Sequence, residues 1–247
     1  MSSATDARAG VAADAVLAAL AAVRDPELDE PVTTLGFVSS CTVSADGQTQ
    51  VRLRLPTYFC APNFAFLMVA DAYDAVAAVP GVTGVEVMLD DHFASDAINA
   101  GVAARAGFAA SFDGEAVDEL DELRATFLRK AVLAGTDLVC RPLVAAGRTP
   151  ADLSALTLGD VPASSELTRL RHRRADLGLP ASDDAPLLID PASGDRVPES
   201  SVPLHLRRAG LTRTGIEANT SICSGMLKAR YPEPRPRIPS APHPEDP

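Results

Sequence analysis

Apolar and polar residues alternate with two different periods along residues 1–112. Apolar residues at helical spacing predict three helices, and short apolar or strictly alternating runs predict three strands. In chain order these are a helix over 16–24, strands over 35–43 and 50–55, a helix over 62–79, a strand over 82–89 and a helix over 95–105. The sequence therefore predicts an α/β fold of the two-layer α+β type, with a small mixed three-stranded sheet in the order α-β-β-α-β-α.

The connections between the predicted strands bring the chemically interesting residues together. Residues 45–47 form an Ala-Asp-Gly turn, so the first two strands are expected to pair as an antiparallel hairpin. The helix over 62–79 predicts a right-handed crossover that makes the second and third strands parallel. Parallel strands end at the same edge of a sheet, where α/β proteins tend to bind ligands. Cys60 and the Asp90-Asp91-His92 sequence are therefore expected to be neighbours.

The composition changes along the chain and predicts four segments. Ten of the eleven aromatic residues lie at or before Phe127, and the last seventeen residues contain seven Pro. We therefore expect a compact domain over 1–112, a helical linker over 113–147, an extension with short helices and a hairpin over 148–230, and a Pro-rich disordered tail over 231–247. Within the extension, the basic run over 169–174 is typical of a solvated helix face, with docking on an acidic partner as the alternative.

Charge and hydropathy exclude several classes of partner. The net charge of −11 argues against general affinity for nucleic acid or anionic lipid, because an acidic surface is repelled by both. No apolar run reaches the roughly 18 residues that a membrane span needs. The first eight residues are polar and lack the apolar segment of a secretory signal. We expect a soluble cytoplasmic protein with no nucleic-acid or membrane partner.

The four cysteines are far apart in the sequence and form no CxxC pair, so thiols are expected rather than disulfides. Cys60 lies in the turn between a predicted strand and a predicted helix that starts at Pro62. The positive end of a helix dipole favours thiolate, the form that binds metal or attacks electrophiles. The alternative is a small buried apolar side chain, as free cysteines often are.

Two other cysteines are candidates for a second thiol. Cys140 lies in the apolar run Leu138–Cys140 and is most simply a core residue. Cys223 has small polar neighbours and is the better candidate second thiol. The sequence leaves open whether Cys140 or Cys223 reaches Cys60.

Carboxylates and histidine offer further ligand candidates. Residues 25–31 hold four carboxylates between or beside two prolines, which is compatible with a cation site but more typical of a solvated turn. His92 is the only histidine in the predicted compact domain, so a site with several histidines is excluded there. Nucleotide-binding and hydrolase motifs are absent from the sequence.

An ordered set of short motifs resembles a known family. The set comprises Asp25-Pro26-Glu27, Leu35-Gly36-Phe37-Val38, Thr57 with Cys60, and Pro80-Gly81-Val82. Together with the order of elements, it resembles the SufT/PaaD-type (MIP-type, FSCA-like) metal–sulfur and iron–sulfur cluster assembly proteins over roughly residues 10–110.

The resemblance implies a non-enzymatic factor in the assembly of iron–sulfur clusters or iron centres. Cys60 is its expected contact with the metal or cluster, and Asp25, Glu27 and Thr57 carry over as signature positions. His92 is a supporting candidate from its expected position. The implied cargo is iron or an iron–sulfur cluster, bound transiently. The implied partners are a client metalloenzyme, such as a binuclear-iron monooxygenase, other cluster assembly proteins or a chaperone, and a second copy in a homodimer.

Two alternatives remain open from the sequence. The first is an adaptor that binds no metal and recruits a client through its acidic surface and its extension. The second is a thiol-dependent enzyme in which Cys60 is the nucleophile and His92 the base.

Overall fold

The computed structural model describes residues 13–112 and 120–232. These residues form two compact units, one made of the residues up to Leu120 and from Ser221 onward, the other of Asp121–Thr220. The predicted tail lies outside the described residues from 233 onward, and residues 113–119 of the predicted linker also lie outside them. Among the described helices, none has the length and hydropathy needed to cross a membrane.

The first unit contains the predicted order of elements with two short additional helices. Its elements are α1 (13–20), α2 (Val32–Leu35), β1 (Val38–Val43), β2 (Gln48–Arg54), α3 (Pro62–Ala77), β3 (Gly84–Asp90), α4 (Ser95–Ala103) and α5 (Phe108–Ser111). The predicted α+β class with a small mixed three-stranded sheet is confirmed.

The strand order β1-β2-β3 confirms the predicted topology. β1 and β2 pair antiparallel, whereas β2 and β3 pair parallel, with Val51 opposite Val87 and Leu53 opposite Leu89. These four side chains are buried, since alternation sends every second residue to the same face of the sheet. α3 and α4 both pack against β3 and contribute apolar residues to this core. Burial of each large apolar side chain stabilises the fold by about 2 kcal/mol.

The beginning of the first strand differs from the sequence expectation. Residues 32–35 form a single helical turn, and Gly36 then adopts a left-handed conformation with φ of 78°. That conformation suits glycine because it has no Cβ, and it lets the Gly36 and Phe37 amides bond back to α2. The strand consequently starts at Val38, and Leu35 is buried as a residue of α2 rather than of β1.

The second unit is mainly helical, with a long loop between Asp176 and Glu199. Its elements are α6 (Asp121–Ala145), α7 (Pro150–Ala155), a 3₁₀ turn at Leu158–Asp160, α8 (Ser165–Asp176), a 3₁₀ turn at Glu199–Ser201 and the first part of α9 (Val202–Arg230). Thr149 caps α7 through a reciprocal bond pair with Asp152, as the Thr-Pro signal predicts. The predicted hairpin is present only as an isolated bridge between Ile189 and Arg196. The 29 residues of α9 form one long helix that the sequence did not predict.

The basic run on α8 is not the solvated face that the sequence suggested. Arg173 is 8% exposed and Arg174 is fully buried. The Arg174 guanidinium donates to the carbonyl oxygens of Pro186 at 2.8 Å and Leu187 at 2.6 Å. Burial lowers the pKa of Arg174 to about 10, yet leaves it charged at neutral pH. Arg174 therefore serves as an internal donor for a loop that has little secondary structure of its own.

We predict that Arg174→Met destabilises the second unit. The substitution leaves buried carbonyl oxygens without donors, which is expected to lower the free energy of unfolding by about 3 kcal/mol. Arg174→Lys is expected to lose less, because one donor group remains. Urea denaturation monitored by circular dichroism measures both changes. Arg208→Met removes an exposed arginine and is the control; equal stability of Arg174→Met and this control would contradict the role assigned to Arg174.

Candidate functional site

The turns that follow β2 and β3 meet at one edge of the sheet, as their parallel pairing requires. The His92 ring nitrogen Nε2 lies 2.7 Å from the carbonyl oxygen of Cys60. A second link joins the same turns, because the Phe93 amide donates to the Tyr58 carbonyl oxygen at 3.1 Å. The expectation that Cys60 and His92 are neighbours is confirmed.

The Cys60 thiol is half-buried, so the apolar alternative of a sealed core cysteine does not describe it. Its Sγ lies 3.3 Å from the hydroxyl oxygen of Thr57. The same hydroxyl accepts the Phe59 amide at 3.2 Å, which closes the turn. α3 starts two residues further on, at Pro62. Thr57 thus orients the sulfur at a turn that leads directly into the N-terminus of α3.

His92 supports the backbone of Cys60 and is itself 3% exposed. Nε2 donates to the Cys60 carbonyl oxygen, and Nδ1 accepts the Ala94 amide at 3.2 Å. Burial is the main reason that the pKa of His92 is lowered; the bond to Cys60 opposes this shift and the positive charge of Arg230 adds to it. His92 is therefore neutral at pH 7, and within the described residues both of its ring nitrogens bond to backbone groups rather than to the thiol.

Asp25 organises the loop after α1 from a buried position, 8% exposed. Its Oδ1 accepts the amides of Glu27 and Leu28, each at 2.9 Å. Burial raises the pKa of Asp25 to about 6, against the lowering effect of these two bonds. Glu27 is half-buried beside it. Among the described residues, no group of three or more His, Cys, Asp or Glu side chains is arranged to hold a metal ion, so the carboxylates of 25–31 do not form a cation site by themselves.

The two remaining candidate thiols fall in different units. Cys140 is 1% exposed in the core of the second unit, as its apolar neighbours predicted. Burial raises its pKa to about 12, with the charge of Asp137 adding to the shift. Cys223 belongs to the first unit, where it is half-buried against the same core cluster as Cys60.

An aromatic patch beside Cys60 was missed by the sequence analysis. Tyr58, Phe59 and Phe93 are 44%, 77% and 49% exposed. Their rings touch one another, with centroids 5.0 Å apart for Tyr58 and Phe59 and 5.9 Å for Phe59 and Phe93. The available signal was the placement of aromatic residues in two polar turns at the same sheet edge. Clustered exposed aromatic rings are typical of surfaces that bind another protein.

Residues 13–87 match the family described as "Iron-sulfur cluster assembly protein". An iron-sulfur cluster carrier protein of Mycobacterium leprae (strain TN) is 39% identical over 86 residues, which are 35% of this chain and 22% of that relative. No solved structure matches the chain. These findings confirm the family resemblance for the segment that holds α1, β1, β2, Cys60 and α3. The chain covers about a fifth of the relative's length, and the family match at residues 13–87 does not include the second unit.

We predict that Asp25→Asn stabilises the first unit in a pH-dependent way. Because the folded pKa of about 6 lies above the ordinary Asp value of 3.8, ionised Asp25 opposes folding above about pH 6, and this penalty shrinks as the pH falls towards 3.8. Asn keeps an acceptor for the two amides and carries no charge. The gain in the free energy of unfolding is expected to be about 1 kcal/mol larger at about pH 7.5 than at about pH 5.

Urea denaturation at the two pH values measures this difference. Asp14→Asn removes an exposed carboxylate of the same unit and is the control. A gain for Asp25→Asn that is the same at both pH values would show that Asp25 is already ionised without penalty in the folded protein.

Proposed function

We propose that the protein is an iron–sulfur cluster carrier or assembly factor that binds iron or a cluster transiently through Cys60. The observation that carries this proposal is the position of the Cys60 sulfur. It is half-buried at the sheet edge, oriented by Thr57 and placed just before α3, inside the segment that matches the cluster assembly family. Thiolate is the form that binds iron.

The geometry fixes the sulfur while leaving it reachable. His92 donates a hydrogen bond to the carbonyl oxygen of Cys60. Once the thiol has lost its proton, the Thr57 hydroxyl can donate a hydrogen bond to the sulfur. When the thiol binds iron, the S–H bond breaks, an S–Fe bond forms and the proton passes to solvent. The contacts of His92 and Thr57 thus support the turn from which one metal–sulfur bond would form.

The ligand count favours transient binding over a permanent cluster. Iron–sulfur clusters are held by four ligands, usually cysteine thiolates. The described residues contain no group of three or more metal-ligating side chains in one place. A cluster bound through the described residues would therefore share ligands with another molecule, as a carrier requires when it hands over its cargo. We propose accordingly that the protein is not an enzyme.

We propose that the recipient is a client metalloenzyme in the cytoplasm. A binuclear-iron monooxygenase is the client class that the family resemblance suggests, and other cluster assembly proteins or a chaperone are further partners. The aromatic patch of Tyr58, Phe59 and Phe93 supports a protein partner at this edge, because it would bring that partner next to Cys60.

The same patch favours a second function, a metal-free adaptor for client maturation. An adaptor needs the exposed rings but not the thiol, so the two functions differ in what Cys60 must do. Anaerobic incubation with ferrous iron and sulfide separates them. A protein that stays colourless yet still co-purifies with its client would favour the adaptor.

The structure gives less support to a thiol-dependent enzyme. That function needs a base close to the sulfur, and His92 was its candidate. Both His92 ring nitrogens bond to backbone groups, and its pKa is lowered by burial. The group that contacts the thiol is Thr57, whose hydroxyl is a poor base at neutral pH.

We predict that Cys60→Ala abolishes binding of iron or cluster while the fold is retained. The thiol is half-buried, so its loss should change the free energy of unfolding by less than about 1 kcal/mol. Iron and sulfide content after anaerobic reconstitution measures the binding, and far-ultraviolet circular dichroism checks the fold.

Cys41→Ala is the matched control, because Cys41 is also half-buried in the first unit but lies on β1. It should bind as much iron as the wild type. The carrier function of Cys60 would be refuted if Cys60→Ala bound iron equally well or matured the client normally.

A further inference from the structure

The last part of α9 is attached to the sheet edge that carries Cys60. Leu227 is 7% exposed and belongs to the core cluster of the first unit. The Arg230 guanidinium donates to the carbonyl oxygen of Leu55 at 3.1 Å, directly after β2. It also forms an ion pair with the Asp91 carboxylate at 2.6 Å, directly after β3. The end of α9 therefore bridges the two turns that form the candidate site.

Tyr231 strengthens this attachment. Its hydroxyl donates to the Asp91 carboxylate at 3.0 Å, and the Arg54 guanidinium stacks over its ring, 4.7 Å from the centroid. The Asp91 carboxylate thus contacts both Arg230 and Tyr231. Asp91 directly follows β3 and has a left-handed backbone conformation with φ of 51°. Charge-assisted bonds of this kind fix the helix in one position relative to the turns.

Cys223 lies on the attached face of α9. It precedes Leu227 by four residues and Arg230 by seven, spacings that put all three residues on one side of a helix. Cys223 is half-buried, and both it and Cys60 pack against the core cluster that contains Leu227. The contacts of Arg230 with Leu55 and Asp91 place this face of α9 at the sheet edge that carries Cys60, although the two cysteines lie far apart in the sequence.

The electrostatics of Cys223 are consistent with this position. Burial, as the largest cause, together with negative charge on Asp25, Cys60 and Glu27 raises the pKa of Cys223 to about 11. A thiol feels such charges only when they are close. This direction of the shift agrees with the attachment of α9 to the sheet edge that carries Cys60.

We propose that Cys223 is a second iron ligand of the Cys60 site, so that each chain offers a pair of thiols. This inference rests on the proposed function, because it specifies how the cargo is held. Two thiols from one chain supply half of a four-thiolate set. A second copy of the chain, facing the first across the cargo, completes the set. Each S–Fe bond replaces one S–H bond, so four protons leave when four thiols bind.

Anaerobic reconstitution with ferrous iron and sulfide tests the proposal on the full chain. The wild type is expected to bind a cluster and form a dimer that dissociates when a chelator removes the iron. Cys223→Ala and Cys223→Ser are expected to lose this dimer and to retain iron at least about tenfold less well against the chelator. Cys41→Ala should behave as the wild type. Native mass spectrometry and iron analysis measure both properties.

The outcomes separate the two proposals. If Cys60→Ala loses the cluster while both Cys223 variants keep it and still dimerise, this inference is overturned and the proposed function stands. If the wild type binds no cluster, both are overturned. Circular dichroism shows whether the Cys223 variants stay folded, and agreement between Ala and Ser separates loss of the thiol from loss of packing.

Oxidation of the cluster-free protein tests the closeness of the two thiols without any metal. The oxidant diamide takes two electrons and two protons from a nearby thiol pair, which forms an S–S bond as two S–H bonds break. Peptide mapping by mass spectrometry is expected to find Cys60 joined to Cys223 within one chain. Rapid alkylation of both thiols with no such disulfide would contradict the shared site.

Discussion

The parallel pairing of β2 with β3 is the constraint on which the candidate site depends. The register places Val51 beside Val87 and Leu53 beside Leu89, and burial of these side chains fixes it, because a shift by one residue would turn them to the other face. With this register, both strands end at the same edge. The turn that holds Cys60 and the turn that holds His92 therefore lie side by side. The hydrogen bond between His92 and the Cys60 carbonyl oxygen follows from this pairing of the strands.

The sequence was sufficient for the features that depend on local patterns and on chain connectivity. Alternation in β2 and β3 and the crossover helix between them predicted the sheet and the approach of His92 to Cys60. It was insufficient where a contact joins distant segments. The part of α9 that holds Cys223 is attached to the first unit by contacts of Arg230 with Leu55 and Asp91. Hydrophobic periodicity in the sequence does not predict contacts of this kind. The buried Arg174 was missed for a related reason, because its acceptors are carbonyl oxygens of a loop.

The carboxylates near the thiols change how the site should be understood. Asp25 and Glu27 first look like metal ligands, since hard cations prefer oxygen. In the structure, the Asp25 carboxylate accepts hydrogen bonds from two backbone amides. Beside the larger effect of burial, its negative charge and that of Glu27 raise the pKa of the Cys223 thiol and so favour the protonated form. In the proposed two-thiol site, iron would have to displace this proton against that preference, which would make the bound iron easier to release.

The contacts around Cys60 bear on whether its thiol is suited to metal binding or to nucleophilic catalysis. A nucleophilic thiol needs a base that can take its proton, whereas a metal-binding thiol needs a fixed direction and a route for the proton to solvent. Both ring nitrogens of His92 form hydrogen bonds with backbone groups, and the Thr57 hydroxyl contacts the Cys60 sulfur. The aromatic patch of Tyr58, Phe59 and Phe93 lies in the same two turns as Cys60 and His92 and, in the proposed function, would contact the receiving protein. A rigid thiol bordered by a surface for protein contact is better suited to transfer of a bound group than to catalysis on a small substrate.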